Sequence, residues 1–203
     1  VAFELVRAAG FPITAPSYDR FGALAAEQQR PVAIHIGANR QTDRTAIYRA
    51  ESAPGFMAAF IATAPMTIAD SIGMLIFGGT LERHPALRVV IAEAGIGWLA
   101  YYLERMDHVM KKQGAYAGAR IKEPPSFYFK RQILATFEED LAGMRTYDLI
   151  GARNIMWSSD YPHSDTTWPH SRQSIEKQFA HLPDEDRVAV TCENAGRIYG
   201  LVS

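Results

Sequence analysis

Few residues in this chain combine a chemically useful side chain with a telling position. His35, Glu93 and Asp160 each stand at the C-terminal end of an apolar run, and Glu138 comes just after a third such run. Asp160 closes Asn154-Ile155-Met156-Trp157-Ser158-Ser159 and opens a rigid aromatic loop, Tyr161-Pro162-His163-Ser164 and onward. A carboxylate at the end of a buried strand is costly unless a metal, a cation or several donors meet it. An imidazole at a strand end can ligate a metal through one nitrogen while an acceptor fixes the other. The chemistry these types could share is metal-assisted, with proton transfer by carboxylate or imidazole.

Each candidate has a plainer reading beside it. Glu93 could pair with an arginine such as Arg131. His163 and His170, on the loop after Asp160, could face a substrate; His163 could equally bond a loop carbonyl, and His170 sits where a helix begins. Trp168 reads as a packing residue of that loop. His84 and His108 read as surface or helix-packing residues, His181 as part of a polar connector, and the lone cysteine, Cys192, as a small apolar residue of the last helix.

The elements that must position these residues alternate along the chain. Four short apolar runs read as buried parallel strands: 30–37, 87–93, 132–137 and 154–159. Helical spacing appears over 18–29, 55–83, 98–112 and 141–150, and the tail 183–199 begins with Asp184, Glu185 and Asp186, where the helix dipole favours negative charge. Strand and helix in turn imply βαβ units in a parallel sheet, either open or closed as a (β/α)8 barrel. Polar groups at several strand ends favour the barrel, which gathers catalytic residues there. An open sheet would typically carry a glycine-rich phosphate loop, and neither GxGxxG nor GxxxxGK[ST] occurs.

Bulk composition removes other classes. The 21 basic and 22 acidic residues nearly cancel and are scattered, which argues against nucleic acid or anionic lipid as a partner. No run of 18 or more apolar residues predicts a membrane span and no signal peptide is visible, so a cytoplasmic, single-domain chain over 1–203 is expected. One cysteine excludes an internal disulfide and suits a reducing compartment.

Four motifs in order, PVAIHIG, LERHPALRVVIAEAGIGWLAYYLERMD, WSSDYPHSDTTWP and ENAGRIYGL, resemble the amidohydrolase superfamily, in its branch of barrel hydrolases and nonoxidative decarboxylases similar to aminocarboxymuconate semialdehyde decarboxylase. The resemblance implies an α/β, (β/α)8 TIM barrel, of which this chain carries mainly the C-terminal half to two-thirds. It also implies one divalent metal, Zn, Mn or Fe, held by His35 on the fifth strand and Asp160 on the eighth. The His-x-His or Glu-x-His ligands of the first strand are not found before His35. Asp160, Glu93 and His163 become the expected catalytic residues, with Glu93 standing where many relatives carry His. The implied activity is hydrolysis of a small, carboxylated cyclic or aromatic substrate. The alternatives are nonoxidative decarboxylation, or a non-catalytic half-barrel that oligomerises. A homo-oligomer, a dimer, is expected, with the aromatic face of 98–112 as packing or contact.

Overall fold

The computed structural model describes residues 14–36 and 54–201. Four strands, β1 (Val32–His35), β2 (Val89–Ala92), β3 (Ile133–Phe137) and β4 (Ile155–Trp157), pair in parallel in the order of the chain. Each is rich in aliphatic residues, as a strand covered on both faces requires. The register, Val32 beside Val89 and Val89 beside Ile133, sends alternate residues to opposite faces.

One face carries Val32, Ile34, Val89, Ile91, Ile133, Ala135, Phe137 and Ile155 into the main core, between sheet and helices. The other carries Val90, Leu134 and Met156 into a smaller cluster with Ile198. The helices in chain order are α1 (Asp19–Glu27), α2 (Phe56–Thr63), α3 (Ile68–Phe77), α4 (Thr80–Arg83), α5 (Leu99–Gln113) and α6 (Pro125–Gln132). They continue with α7 (Leu141–Arg145), α8 (Tyr147–Ile150), α9 (Ser171–Gln178), α10 (Asp184–Val188) and α11 (Asn194–Tyr199). Helices thus fill every connection between consecutive strands, as in a (β/α)8 barrel, and the described residues form four successive strand–helix units of it.

Several boundaries differ from expectation for local reasons. The helical region 55–83 is three helices, because Pro65 lies in a 3-10 turn at Ala64–Thr67 and Gly79 adopts φ 75° after α3. Together Phe56–Phe77 has the length and mean hydropathy, 1.6, of a membrane-crossing segment, which the expectation of no such run did not anticipate. In the fold it is interrupted, and Ile68, Ile72, Leu75 and Ile76 of α3 are buried in the core. The 141–150 segment breaks at Thr146. On α5, Leu103 and Met106 are buried and the Tyr102 hydroxyl donates to Ala69 O, while Tyr101 is exposed. Packing therefore accounts for most of that aromatic face. Cys192 is exposed in a π-helical turn, Ala189–Glu193, and is not a core residue.

Candidate functional site

Register places His35 beside Ala92 at the end of β1 and β2, and Thr136 beside Met156 on β3 and β4. By alternation His35, Ala92, Thr136 and Met156 lie on the face that also carries Val90 and Leu134. His35 Nδ1 lies 2.9 Å from Ile36 O. A carbonyl only accepts, so Nδ1 carries the hydrogen and Nε2 is turned away from it, toward Glu93. The Nε2 to Glu93 Oε2 distance is 2.6 Å.

Glu93 and Asp160 do not continue their strands. Both adopt the left-handed region, with φ of 58° and 55°, and Gln29 is the one other described non-glycine residue that does so. Such backbone costs about 1 kcal/mol or more per residue and persists where surrounding contacts hold it. At Glu93 those contacts are identifiable. Its N–H donates to Thr136 Oγ1 at 2.9 Å, and the two residues of the same loop that follow Gly95 are tied down by Asp140. Asp140 Oδ2 accepts from Ile96 N and Gly97 N, both at 2.7 Å, while its Oδ1 accepts from Gly143 N at 2.8 Å and so caps α7.

A second layer supports the β3 end. Gln178 Nε2 and Trp157 Nε1 both donate to Glu138 O, at 2.9 and 3.0 Å, and Gln178 Oε1 accepts from Asp140 N at 2.9 Å. The loop after Asp160 is folded on itself. Asp160 O accepts from His163 N, and Ser159 O accepts from both Thr167 N and Thr166 Oγ1. The Tyr161 and Trp168 rings meet edge to face with centroids 5.3 Å apart, and the peptides Tyr161–Pro162 and Trp168–Pro169 are cis.

These supports bring the charged groups together. His163 Nδ1 lies 3.0 Å from Asp160 Oδ2 and 3.7 Å from Glu93 Oε1. Glu93, Asp160 and His163 each offer a ligand atom within 4.8 Å of the others, and His35 joins them through Glu93. The carboxylates are largely covered, at 17% and 16% side-chain exposure, whereas His35 and His163 stand at 45% and 60% on the open side. Asp160 Oδ2 is buried and makes no hydrogen bond; His163 Nδ1 is near enough for an ion pair but not directed along a bond.

Negative charge is in excess here. Burial first, and then the charges of Asp160, Glu93 and Asp165, push the Glu138 carboxyl up to about 7. A buried carboxylate oxygen without a donor, inside a group of carboxylates and imidazoles, is the environment that a divalent cation satisfies, and the N and O donors suit Zn²⁺, Mn²⁺ or Fe²⁺. The residues present fit a metal.

Of the residues singled out in the sequence, His35, Glu93, Asp160 and His163 meet at this end of the sheet. Glu93 does not pair with Arg131. Arg131 precedes β3, at the opposite end of the strands, and donates to Leu81 O and Gln132 Oε1. His170 is the N-cap residue of α9 and is exposed, with no side-chain cap bond. His84 lies 3.3 Å from Asp19, and His181 lies 2.9 Å from Met144 O. Thr136 and Asp140 were missed. An Asp before Leu141 is a readable N-cap signal, but its grip on a loop more than 40 residues away is not.

Comparison with known proteins shows the family and the fold. The family model described as amidohydrolase matches residues 2–201. The γ-resorcylate decarboxylase of Rhodococcus jostii (strain RHA1) is 26% identical over 138 residues, 63% of this chain and 38% of that protein. The crystal structure of 5-carboxyvanillate decarboxylase from Sphingomonas paucimobilis superposes with a TM-score of 0.79 at 23% identity, covering 98% of this chain and 58% of that one. The 5-carboxyvanillate decarboxylase of Novosphingobium aromaticivorans DSM 12444, complexed with manganese and 4-hydroxy-3-methoxy-5-nitrobenzoic acid, gives 0.75 at 16%, covering 98% and 56%. The chain therefore spans less than two-thirds of the length of each of these proteins.

Proposed function

As this chain belongs to the amidohydrolase family, we propose that it carries one part of the active centre of a metal-dependent nonoxidative decarboxylase acting on a small, carboxylated, hydroxylated aromatic acid. The observation that carries the metal reading is the buried, donorless Oδ2 of Asp160 among Glu93, His163 and His35. Decarboxylation takes precedence over the hydrolysis expected from sequence because the curated relative and the structural neighbours described above are decarboxylases.

In this reading His35 Nε2 and Asp160 Oδ2 would hold the metal, with Glu93 beside both imidazoles. A bound divalent cation would supply a Lewis acid for oxygens of the substrate and balance the carboxylates. The chain's own residues do the rest. The His35 Nδ1–H bond to Ile36 O fixes the ring. In the reaction the ring–carboxylate C–C bond breaks, its electron pair stays on the ring carbon, carbon dioxide leaves and a proton must reach that carbon. His163, exposed and 3.0 Å from Asp160, delivers that proton and recovers one from water. In the metal-free chain Glu93 lies 2.6 Å from His35 Nε2 and 3.7 Å from His163 Nδ1; with Nε2 given to a metal, its remaining role is to hold the charge of His163 beside the site.

The test is carbon dioxide release from dihydroxybenzoates and 5-carboxyvanillate by manganese-loaded protein, with a panel of lactones and amides alongside. Turnover of an aromatic acid that vanishes in Asp160→Asn supports the proposal. Hydrolysis of the second panel without decarboxylation of the first would sink it.

A further inference from the structure

At the other end of the sheet a second site stands out. A basic residue enters every strand: Arg30 before β1, Arg88 before β2, Lys130 and Arg131 before β3, and Arg153 before β4. Because all four strands run parallel, these residues gather on one rim, and α11 adds Arg197. All six line a single cavity of about 730 Å³, at the N-terminal ends of the strands, away from Glu93 and Asp160. That volume lies within the range of small-molecule sites, roughly 300–1,000 Å³. No carboxylate lines it among the described residues.

Much of the charge is held in place and only partly compensated. Arg88 donates to Pro85 O and Leu87 O, Arg131 to Leu81 O and Gln132 Oε1, and Arg197 to Arg153 O and Asn194 Oδ1. Arg131 also lies over the Phe127 and Tyr128 rings, 5.0 and 5.2 Å from their centroids. These acceptors are neutral, so they orient the guanidinium groups without cancelling them. Arg153 pairs with Glu193 at 2.7 Å, the Tyr128 hydroxyl, helped by Arg131, holds the Glu82 carboxyl below its usual range, and Arg30 and Lys130 form no ion pair among the described residues. Nothing in barrel stability asks for like charges side by side, which repel.

We infer that this rim binds a small, extended polyanion of the phosphate-chain class. Five of the six cations are arginines, whose forked donors match phosphate oxygens in pairs. Four adjacent strands spread the charges over about 14 Å, which favours a linear chain of phosphates over a single anion. The site is independent of the decarboxylase reading.

The experiment is calorimetric titration of the chain with sodium tripolyphosphate in metal-free, low-salt buffer. Saturable binding of one molecule per chain is expected, weakening with added salt. The double variant Arg30→Glu with Lys130→Glu should bind about tenfold or more weakly, while Asp160→Asn binds as the parent does. Both altered arms are exposed, and a circular dichroism melt checks that the variant folds. No saturable heat, equal affinity in the double variant, or loss of binding in Asp160→Asn would overturn the assignment. Citrate binding as tightly would overturn the phosphate class, and a short RNA binding as tightly would reduce the rim to a general polyanion surface.

Discussion

Replacing Asp140 by Ala tests how the Glu93 loop is held. The substitution removes the acceptor of three backbone N–H groups: Ile96 and Gly97 at 2.7 Å and Gly143 at 2.8 Å. Loss of the α7 cap costs about 1 kcal/mol. Each of the other two bonds, made to an ionised acceptor, contributes about 1.5–3 kcal/mol. Ile96 is fully buried, but Asp140 itself is half-buried, so water recovers part of the loss. The expected net cost is about 3 kcal/mol, or about 6–12 °C in Tm for a chain of this size. Asp140→Asn keeps the shape but turns one oxygen into a donor that faces donors, and about 2 kcal/mol is expected. Urea unfolding followed by circular dichroism gives the free energies. Decarboxylation by the folded, manganese-loaded variants then reads the site, where a lower rate is expected because Glu93 loses its support. A cost below about 1 kcal/mol in Asp140→Ala, with the rate unchanged, would show that the loop holds itself and that the clamp is incidental.

Other expectations concern the same end of the sheet and, for Asn194, the opposite one. Asp160→Asn should lower bound manganese while leaving the urea midpoint nearly unchanged, and full metal content in that variant would remove Asp160 from the ligand set. Glu93→Gln should lower decarboxylation more than metal content, measured by elemental analysis; metal loss instead would make Glu93 a ligand. Glu138 titrates near 7 in the fold against 4.5 when unperturbed, so the stability it contributes is full below pH 4.5 and is lost as pH rises through 7. Allowing for screening of a partly exposed group, the metal-free chain should lose roughly 1–2 kcal/mol across that window, and Glu138→Gln should abolish that loss in urea unfolding at pH 5 and 8. Asn194, fully buried, donates to Ala152 O and Ile155 O at 2.8 Å, so Asn194→Ala should cost about 2–3 kcal/mol by the same assay.

What could be read from the chain depended on how local its cause was. The four strands were legible because aliphatic runs framed by Pro, Gly or polar residues have few other uses. Helix α6 was not, and α9 was legible only at its start, by His170. Pro125–Gln132 mixes a buried Tyr128 and Phe129 with an exposed Phe127, and Ser171–Gln178 offers one aliphatic residue, Ile175, to a helical period. The site residues were legible one at a time, through their positions at strand ends, but their partners were not. Arg131 was a plausible mate for Glu93 until the parallel register set them at opposite ends of the strands. Thr136 and Asp140 act on Glu93 and its loop across more than 40 residues of sequence, and no pattern in one chain announces such a bond.

The left-handed backbone at Glu93 and Asp160 sets a conflict for anyone who would engineer this protein. Selection for heat resistance alone should be drawn to these two positions, since glycine relieves about 1 kcal/mol of conformational cost at each. Asparagine, which tolerates the same conformation, is the milder form of that temptation at position 160. Both replacements delete the carboxylates around which the centre is arranged. Libraries screened for thermal survival should therefore enrich inactive sequences at 93 and 160, and screens that retain catalysis as a criterion should hold both positions fixed.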